Sequence, residues 1–156
     1  MLVYRIVHKR YAESLFASGL EGRWNSEGKK VIYTAENVSL AYLETFAHRK
    51  GLGYNKDFKI MIIEIPSDAD IQEVESSQLP KNWRDFRNYE ICQKLGNSWF
   101  DACEQLCLKV PSAVVPENKN LVINTFHRDF KKVKLIEVLN FEPDNRLEEI
   151  IKQYQS

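Results

Sequence analysis

The chain has 156 residues, 44% of them hydrophobic and 12% aromatic, which is enough to bury the core of one ordinary domain. Lysine plus arginine equal aspartate plus glutamate at 22 each, so no overall field exists to recruit nucleic acid or an anionic membrane directly. Nothing approaches the roughly 18 to 20 apolar residues of a membrane span, and Arg5 interrupts the first apolar run, so a cytoplasmic protein with no membrane partner is expected.

Leu2 to Val7 alternates as a first strand and projects Arg5 to the face opposite Tyr4 and Ile6. Arg5 is then either an anion contact in a cleft or a solvated strand arginine. Ala12 to Ser18 reads as a short helix ended by Gly19. The most informative stretch runs from Gly22 to His48, GRWNSEGKKVIYTAENVSLAYLETFAH. Gly22 to Asn25 is a bend that sets a cation beside an aromatic ring, and Asn25 to Gly28 is turn chemistry. Val31 to Thr34, β-branched and aromatic, predicts a short strand. Asn37 or Ser39 can cap a helix whose apolar positions Leu40, Leu43 and Ala47 recur at helical spacing. Glu44 lies beside that stripe, either as an edge residue near Arg49 and Lys50 or as a carboxylate pointing into a cleft. His48, one turn on, is expected to support the helix end.

Beyond Gly51 and Gly53, Phe58 to Ile65 is the most strand-like run, apolar on both faces over Ile60 to Ile63 as a central strand requires, and Pro66 closes it. Ile71 to Val74 reads as a short strand. Trp83, Phe86, Tyr89 and Ile91 predict aromatic packing around a partly helical segment that Gly96 breaks, while Lys81, Arg84, Asp85 and Arg87 form a solvated face. Ser98 is expected to cap a helix through Leu106, with Trp99, Ala102, Cys103 and Leu106 on one side. Leu108 to Pro116 is a strand bracketed by prolines. Pro111 cannot donate to a ladder, so the strand must bulge or start there. Ser112 then either faces a ligand from distorted backbone or is an ordinary small residue at a strand start.

Glu117 to Asn120 is a turn, and Leu121 to Asn124 and Lys134 to Phe141 are strands. Asn145 to Tyr154 is a closing helix whose stripe of Leu147, Ile150, Ile151 and Tyr154 packs on the sheet or on a neighbouring chain. Cys92, Cys103 and Cys107 are odd in number and lack zinc spacing, so buried, reduced thiols and no metal site are expected. Strands outnumber helices without regular alternation, which makes the fold class α+β, in a single domain over residues 1–156.

GRWNSEG, VIYTAE, LAYLETFAH and VPSAVVPENKNLVIN, in that order, resemble the RES domain, a family named for an arginine, a glutamate and a serine. Those residues match Arg23, Glu44 and Ser112, and the resemblance runs from Tyr4-Arg5 to Arg146-Leu147. It implies a split, mostly antiparallel sheet like that of the ADP-ribosyltransferases, with a cleft that binds NAD. It further implies a bacterial toxin that degrades NAD at the nicotinamide-ribose bond, with water or inorganic phosphate as acceptor. NAD is then substrate, and no cofactor is called for. A cognate Xre-type antitoxin that itself binds DNA would neutralise it, and a homodimer is expected. The rival readings are an ADP-ribosyltransferase acting on a macromolecule and a non-catalytic domain that binds a nucleotide or a partner.

The residue types suit the implied reaction. A guanidinium at Arg23 can clamp a pyrophosphate in bidentate fashion. Tyr33 can stack on the flat, cationic nicotinamide ring. Breaking the bond leaves an oxocarbenium-like ribose, and a carboxylate at about 4 Å in an effective dielectric near 20 attracts it by on the order of 4 kcal/mol. That approaches a thousandfold in rate at about 1.4 kcal/mol per tenfold, and Glu44 is the candidate. Nicotinamide departs neutral, so the second carboxyl of ordinary glycosidases is not needed. Ser112 would orient Glu44 or the ribose, and Arg5, Ser112 and Asn124 complete the expected NAD contacts. Three features depart from the family habit: Glu21 stands where a second glycine often precedes GRW, Thr125 follows Asn124 where proline is common, and FEPDNRL has extra residues in a segment usually nearer to FDPRL.

Overall fold

The computed structural model describes residues 1–49 and 56–147, together with 149 and 153. Its strands are β1 (Leu2–His8), β2 (Val31–Ala35), β3 (Phe58–Glu64), β4 (Ile71–Glu73), β5 (Cys107–Pro111), β6 (Lys119–Asn124) and β7 (Lys134–Asn140). Helices α1 (Val38–His48) and α2 (Glu90–Ala102) complete the framework. One mixed sheet has the order β4-β5-β6-β2-β1-β3-β7, antiparallel throughout except between β4 and β5. β1 pairs with β3 from Leu2 to His8, yet meets β2 only where Tyr4 lies opposite Ala35. The sheet is therefore split into two halves joined at one point, as the family resemblance implies, and the mix of strands and helices is α+β.

Alternation along the strands sorts the core into layers. Val3, Val7, Ile32, Met61, Ile63, Leu121 and Ile123 enter one apolar layer, closed by Leu106, Cys107 and Val133. The opposite face carries two separate clusters. α1 presses Leu40 and Ala41 onto Ile6, Ala35 and Phe58, while α2 sets Cys92 and Trp99 against Leu108, Val110 and Val122. On that face a depression beside α1 is bounded by Tyr33 of β2 and Asn120 of β6.

Several local expectations are corrected. Residues 12–18 are bends and coil, and the helical turn lies earlier, as a 3-10 turn at Lys9–Tyr11. Leu15 and Ala17 both pack on the core layer, a spacing of two that extended chain satisfies and a helix does not. Gly19, at φ +77°, instead turns the chain so that its carbonyl accepts from the Gly28 amide at 2.8 Å. α1 is capped by Asn37, whose side chain accepts from the Leu40 amide at 2.8 Å, but Leu43 and Ala47 are exposed. Its inner face runs through Leu40, Ala41 and the rings of Tyr42 and Phe46, which lie side by side with centroids 5.8 Å apart.

Gly96 does not break a helix and Ser98 does not start one, because α2 passes through both. A Cβ at position 96 would lie 1.8 Å from the Trp24 carbonyl oxygen, so the glycine serves a close approach. α2 stops at Cys103, in left-handed backbone at φ 52°, before Leu106. Phe86 is 75% exposed and Ile91 is also exposed, leaving Trp83 and Tyr89 as the packed aromatics of that segment. Pro111 ends β5 rather than starting a strand. The thiols are free, with Cys92 and Cys107 buried and Cys103 half-buried. Half of the helix expected over 145–154 lies outside the described residues, and residues 145–147, 149 and 153 are helical; among the described residues no helix is long and apolar enough to cross a membrane.

Candidate active site

The arginine of the GRWN bend is held on a rigid support. Gly22 and Asn25 exchange backbone hydrogen bonds of 3.0 and 3.4 Å. The fully buried Asn25 donates from Nδ2 to the carbonyls of Leu20, Ser26 and Lys29, and its Oδ1 accepts from the Tyr33 hydroxyl at 2.6 Å. Tyr33 Oη also accepts from the Trp24 amide at 3.0 Å, so β2 clamps the bend from inside. Burial pushes the Tyr33 phenol far above its ordinary value. From α2, Gln93 Nε2 donates to the Gly22 carbonyl at 2.9 Å. A Cβ at Gly22 would meet Tyr33 Oη at 2.6 Å, which explains the glycine there.

Arg23 projects from this bend across the segment after β4. Its Nη1 donates to the Trp83 carbonyl at 2.5 Å and Nη2 to the Arg84 carbonyl at 3.1 Å, and the guanidinium lies 4.6 Å over the Tyr89 ring. Arg84 in turn donates from Nε to the Ala113 carbonyl at 2.8 Å. A strap thus runs from Arg23 through Trp83 and Arg84 to the loop after β5.

Glu44 reaches the depression from α1. Its Oε1 accepts two hydrogen bonds, from Ser112 Oγ at 2.6 Å and from Asn120 Nδ2 at 2.5 Å. Oε2 has no partner among the described residues. Ser112 is fully buried, and its oxygen accepts from the amides of Val114 and Val115 at 3.1 and 2.9 Å. With those lone pairs taken, the hydroxyl proton points at Glu44.

Arg23, Trp24, Tyr33, Glu44, Pro111, Ala113 and Asn120 line one cavity of about 60 Å³. A larger open groove of about 370 Å³ beside α2, lined by Ser26, Gln93, Asn97 and Asp101 among others, contains none of the three motif residues. The small cavity is the chemically equipped one, because a cation, an aromatic ring and a half-free carboxylate converge there.

Arg23, Tyr33 and Glu44 are therefore brought together, with Ser112 behind Glu44. Arg5 and Asn124 are not. Arg5 shares the face of Val3 and Val7, away from α1, and donates to the Phe16 carbonyl at 2.9 Å. Asn124 is fully buried at the far end of β6, donating to the Phe100 carbonyl at 3.1 Å and accepting from the Phe126 amide at 2.9 Å. His48 ends α1 in solvent, Glu21 is exposed, and Thr125 donates to the Lys30 carbonyl at 2.6 Å. Sequence reasoning missed Asn25 as the buried anchor of the bend, the carbonyls that hold Arg23, and Asn120. Asn120 lies inside the VPSAVVPENKNLVIN segment, but no local pattern distinguishes it from the asparagines around it.

The RES domain family profile matches residues 2–144. The chain is 36% identical over 152 residues to "Toxin Res" of Yersinia enterocolitica, covering 94% of this chain and 99% of the relative. It is 33% identical over 153 residues to "Toxin Res" of Photorhabdus laumondii, covering 94% and 97%. It is 31% identical over 141 residues to the "Prs ADP-ribosylating toxin" of Sphingobium sp., covering 87% and 88%. A chain in the crystal structure of the M. tuberculosis MbcT-MbcA toxin-antitoxin complex shares the fold, with a TM-score of 0.74 at 17% identity over 97% of this chain and 88% of that one. By its profile match and by these relatives, the chain belongs to the RES domain family.

Proposed function

We propose that this protein is the toxin of a toxin-antitoxin pair and that it cleaves NAD at the nicotinamide-ribose bond. One observation carries the reading: a carboxylate with one oxygen held by two donors and the other free, in a cavity shared with a guanidinium and an aromatic ring. Cleavage leaves positive charge on the ribose, and a carboxylate already oriented by protein donors stabilises that charge without reorganising. Arg23 takes the pyrophosphate. Its present acceptors are neutral carbonyls, and a charged phosphate oxygen accepts more strongly than they do.

The cavity of about 60 Å³ is far below the roughly 300 Å³ of a typical small-molecule site, so binding requires the Trp83-Arg84 strap to move off Arg23. Tyr33 then presents its ring to the nicotinamide while its hydroxyl stays in the bend. Water or inorganic phosphate accepts the ribose. The names of the Yersinia and Photorhabdus relatives, and the fold shared with a chain of a toxin-antitoxin complex, support a partner antitoxin.

A second reading, transfer of ADP-ribose to a macromolecule, is favoured by the name of the Sphingobium relative. Both readings are tested by incubating the purified protein with NAD, with and without phosphate, and following nicotinamide release and the ribosyl product by mass spectrometry. Intact NAD with wild type, or an unaltered rate in Glu44→Gln, ends the proposal. Adenylate label on a protein or nucleic acid selects the transferase.

A further inference from the structure

Asn120 stands near the start of β6, paired with Ala35 of β2 and Val110 of β5. Alternation puts it on the face of Val122, toward the helices, while Leu121 and Ile123 enter the other layer. Its amide is used unevenly. Nδ2 donates to Glu44 Oε1 at 2.5 Å, whereas Oδ1 is buried without a hydrogen-bond partner among the described residues. Turning the amide over would aim its oxygen at the carboxylate, so Glu44 dictates the orientation that leaves Oδ1 unpaired. A buried acceptor without a donor weakens a fold, which is why native proteins keep few of them. This one accompanies the donor bond by which the amide holds Glu44.

We infer that Asn120 is a positioning residue for Glu44. The last torsion of a glutamate is broad, so one hydrogen bond leaves the carboxylate free to swing. Ser112 donates from the loop after β5 and Asn120 from β6, and two donors from different directions on the same oxygen fix the carboxylate plane. Oε2 is then the oxygen left for a ligand in the cavity. The kinetic consequence rests on the NAD-cleaving reading above, but the geometric one does not.

The crystal structure of Asn120→Ala tests the geometry alone. The Glu44 carboxylate is expected to leave its present plane, and an unmoved carboxylate overturns the inference whatever the reaction. In nicotinamide release from NAD, Asn120→Ala is expected to lower kcat by about 10- to 100-fold with KM changed less than about threefold. The melting temperature should not fall, because the unpaired acceptor goes as well. In a Glu44→Ala background the substitution should cost no more than about twofold, since its effect passes through the carboxylate. A single variant within about twofold of wild type, or an undiminished loss in the Glu44→Ala background, overturns the inference. A wild type that leaves NAD intact ends the proposed reaction instead, and the crystal structure still decides whether Asn120 holds Glu44.

Discussion

Ser112 and Glu44, 68 positions apart in the chain, meet through a hydrogen bond of 2.6 Å. The serine oxygen also accepts from the Val114 and Val115 amides, so one buried atom shapes the loop after β5 and sets the direction of the bond to the acid. Ser112→Ala removes an acceptor from two amides and a donor from Glu44. It is expected to cost about 1–3 kcal/mol of stability and to slow NAD cleavage together. Urea denaturation and nicotinamide release check both effects, and loss of activity at full stability would show that the serine acts on Glu44 alone.

Gly96 sets two local effects against each other. Alanine in a helix interior is favoured over glycine by about 1 kcal/mol. Against this, the added Cβ would lie 1.8 Å from the Trp24 oxygen and 2.7 Å from its carbonyl carbon, and backbone yields less readily than a side chain. Overpacking of about 1–3 kcal/mol or more should win, so Gly96→Ala is expected to melt lower and, by displacing the residue after Arg23, to bind NAD more weakly. A raised melting temperature would show the contact to be slack.

Arg23→Lys keeps the charge and loses the fork. An ammonium cannot span the Trp83 and Arg84 carbonyls in one plane, nor lie flat over the Tyr89 ring. Affinity for NAD measured by calorimetry is expected to drop about tenfold or more, close to 1.4 kcal/mol, because the bidentate contact proposed for the pyrophosphate is lost. Affinity equal to wild type would remove Arg23 from the pyrophosphate site.

Alkaline pH should destabilise the fold through two buried groups. Burial raises the Tyr33 phenol well above its ordinary value of 10.0 and the Cys107 thiol from 9.0 to about 12. The unfolded chain releases these protons at lower pH than the folded one. Their contribution is therefore complete below about pH 9 and is lost as pH rises above it, at up to about 1.4 kcal/mol per pH unit for each group. Urea midpoints at pH 8 and 10.5 measure the slope, and Cys107→Ala should make it shallower.

Much of the frame was legible in the sequence because its signals are local. Alternation in Leu2 to Val7 announced β1, the run from Phe58 to Ile65, apolar on both faces, announced β3, and a cap at Asn37 or Ser39 announced α1. Arg23, Tyr33 and Glu44 were legible through the ordered motifs that resemble the RES family, and the cavity contains all three. Local propensity failed at Gly96 and along residues 12–18. What α2 tolerates is decided by a carbonyl on a distant bend, and what Leu15 and Ala17 do is decided by the core layer beneath them.

The strand pattern by itself determined that Arg5 points away from Tyr4 and Ile6, since side chains alternate on extended backbone. It could not say which of the two faces would hold the site. That depended on α1 packing over Ile6 and Ala35. Asn120 and Asn124 show the same limit more sharply: both lie on the same face of β6, one against Glu44 and the other against the end of α2. Only the positions of the two helices over the sheet separate them, because side-chain parity follows from the chain while the neighbour above each side chain follows from packing.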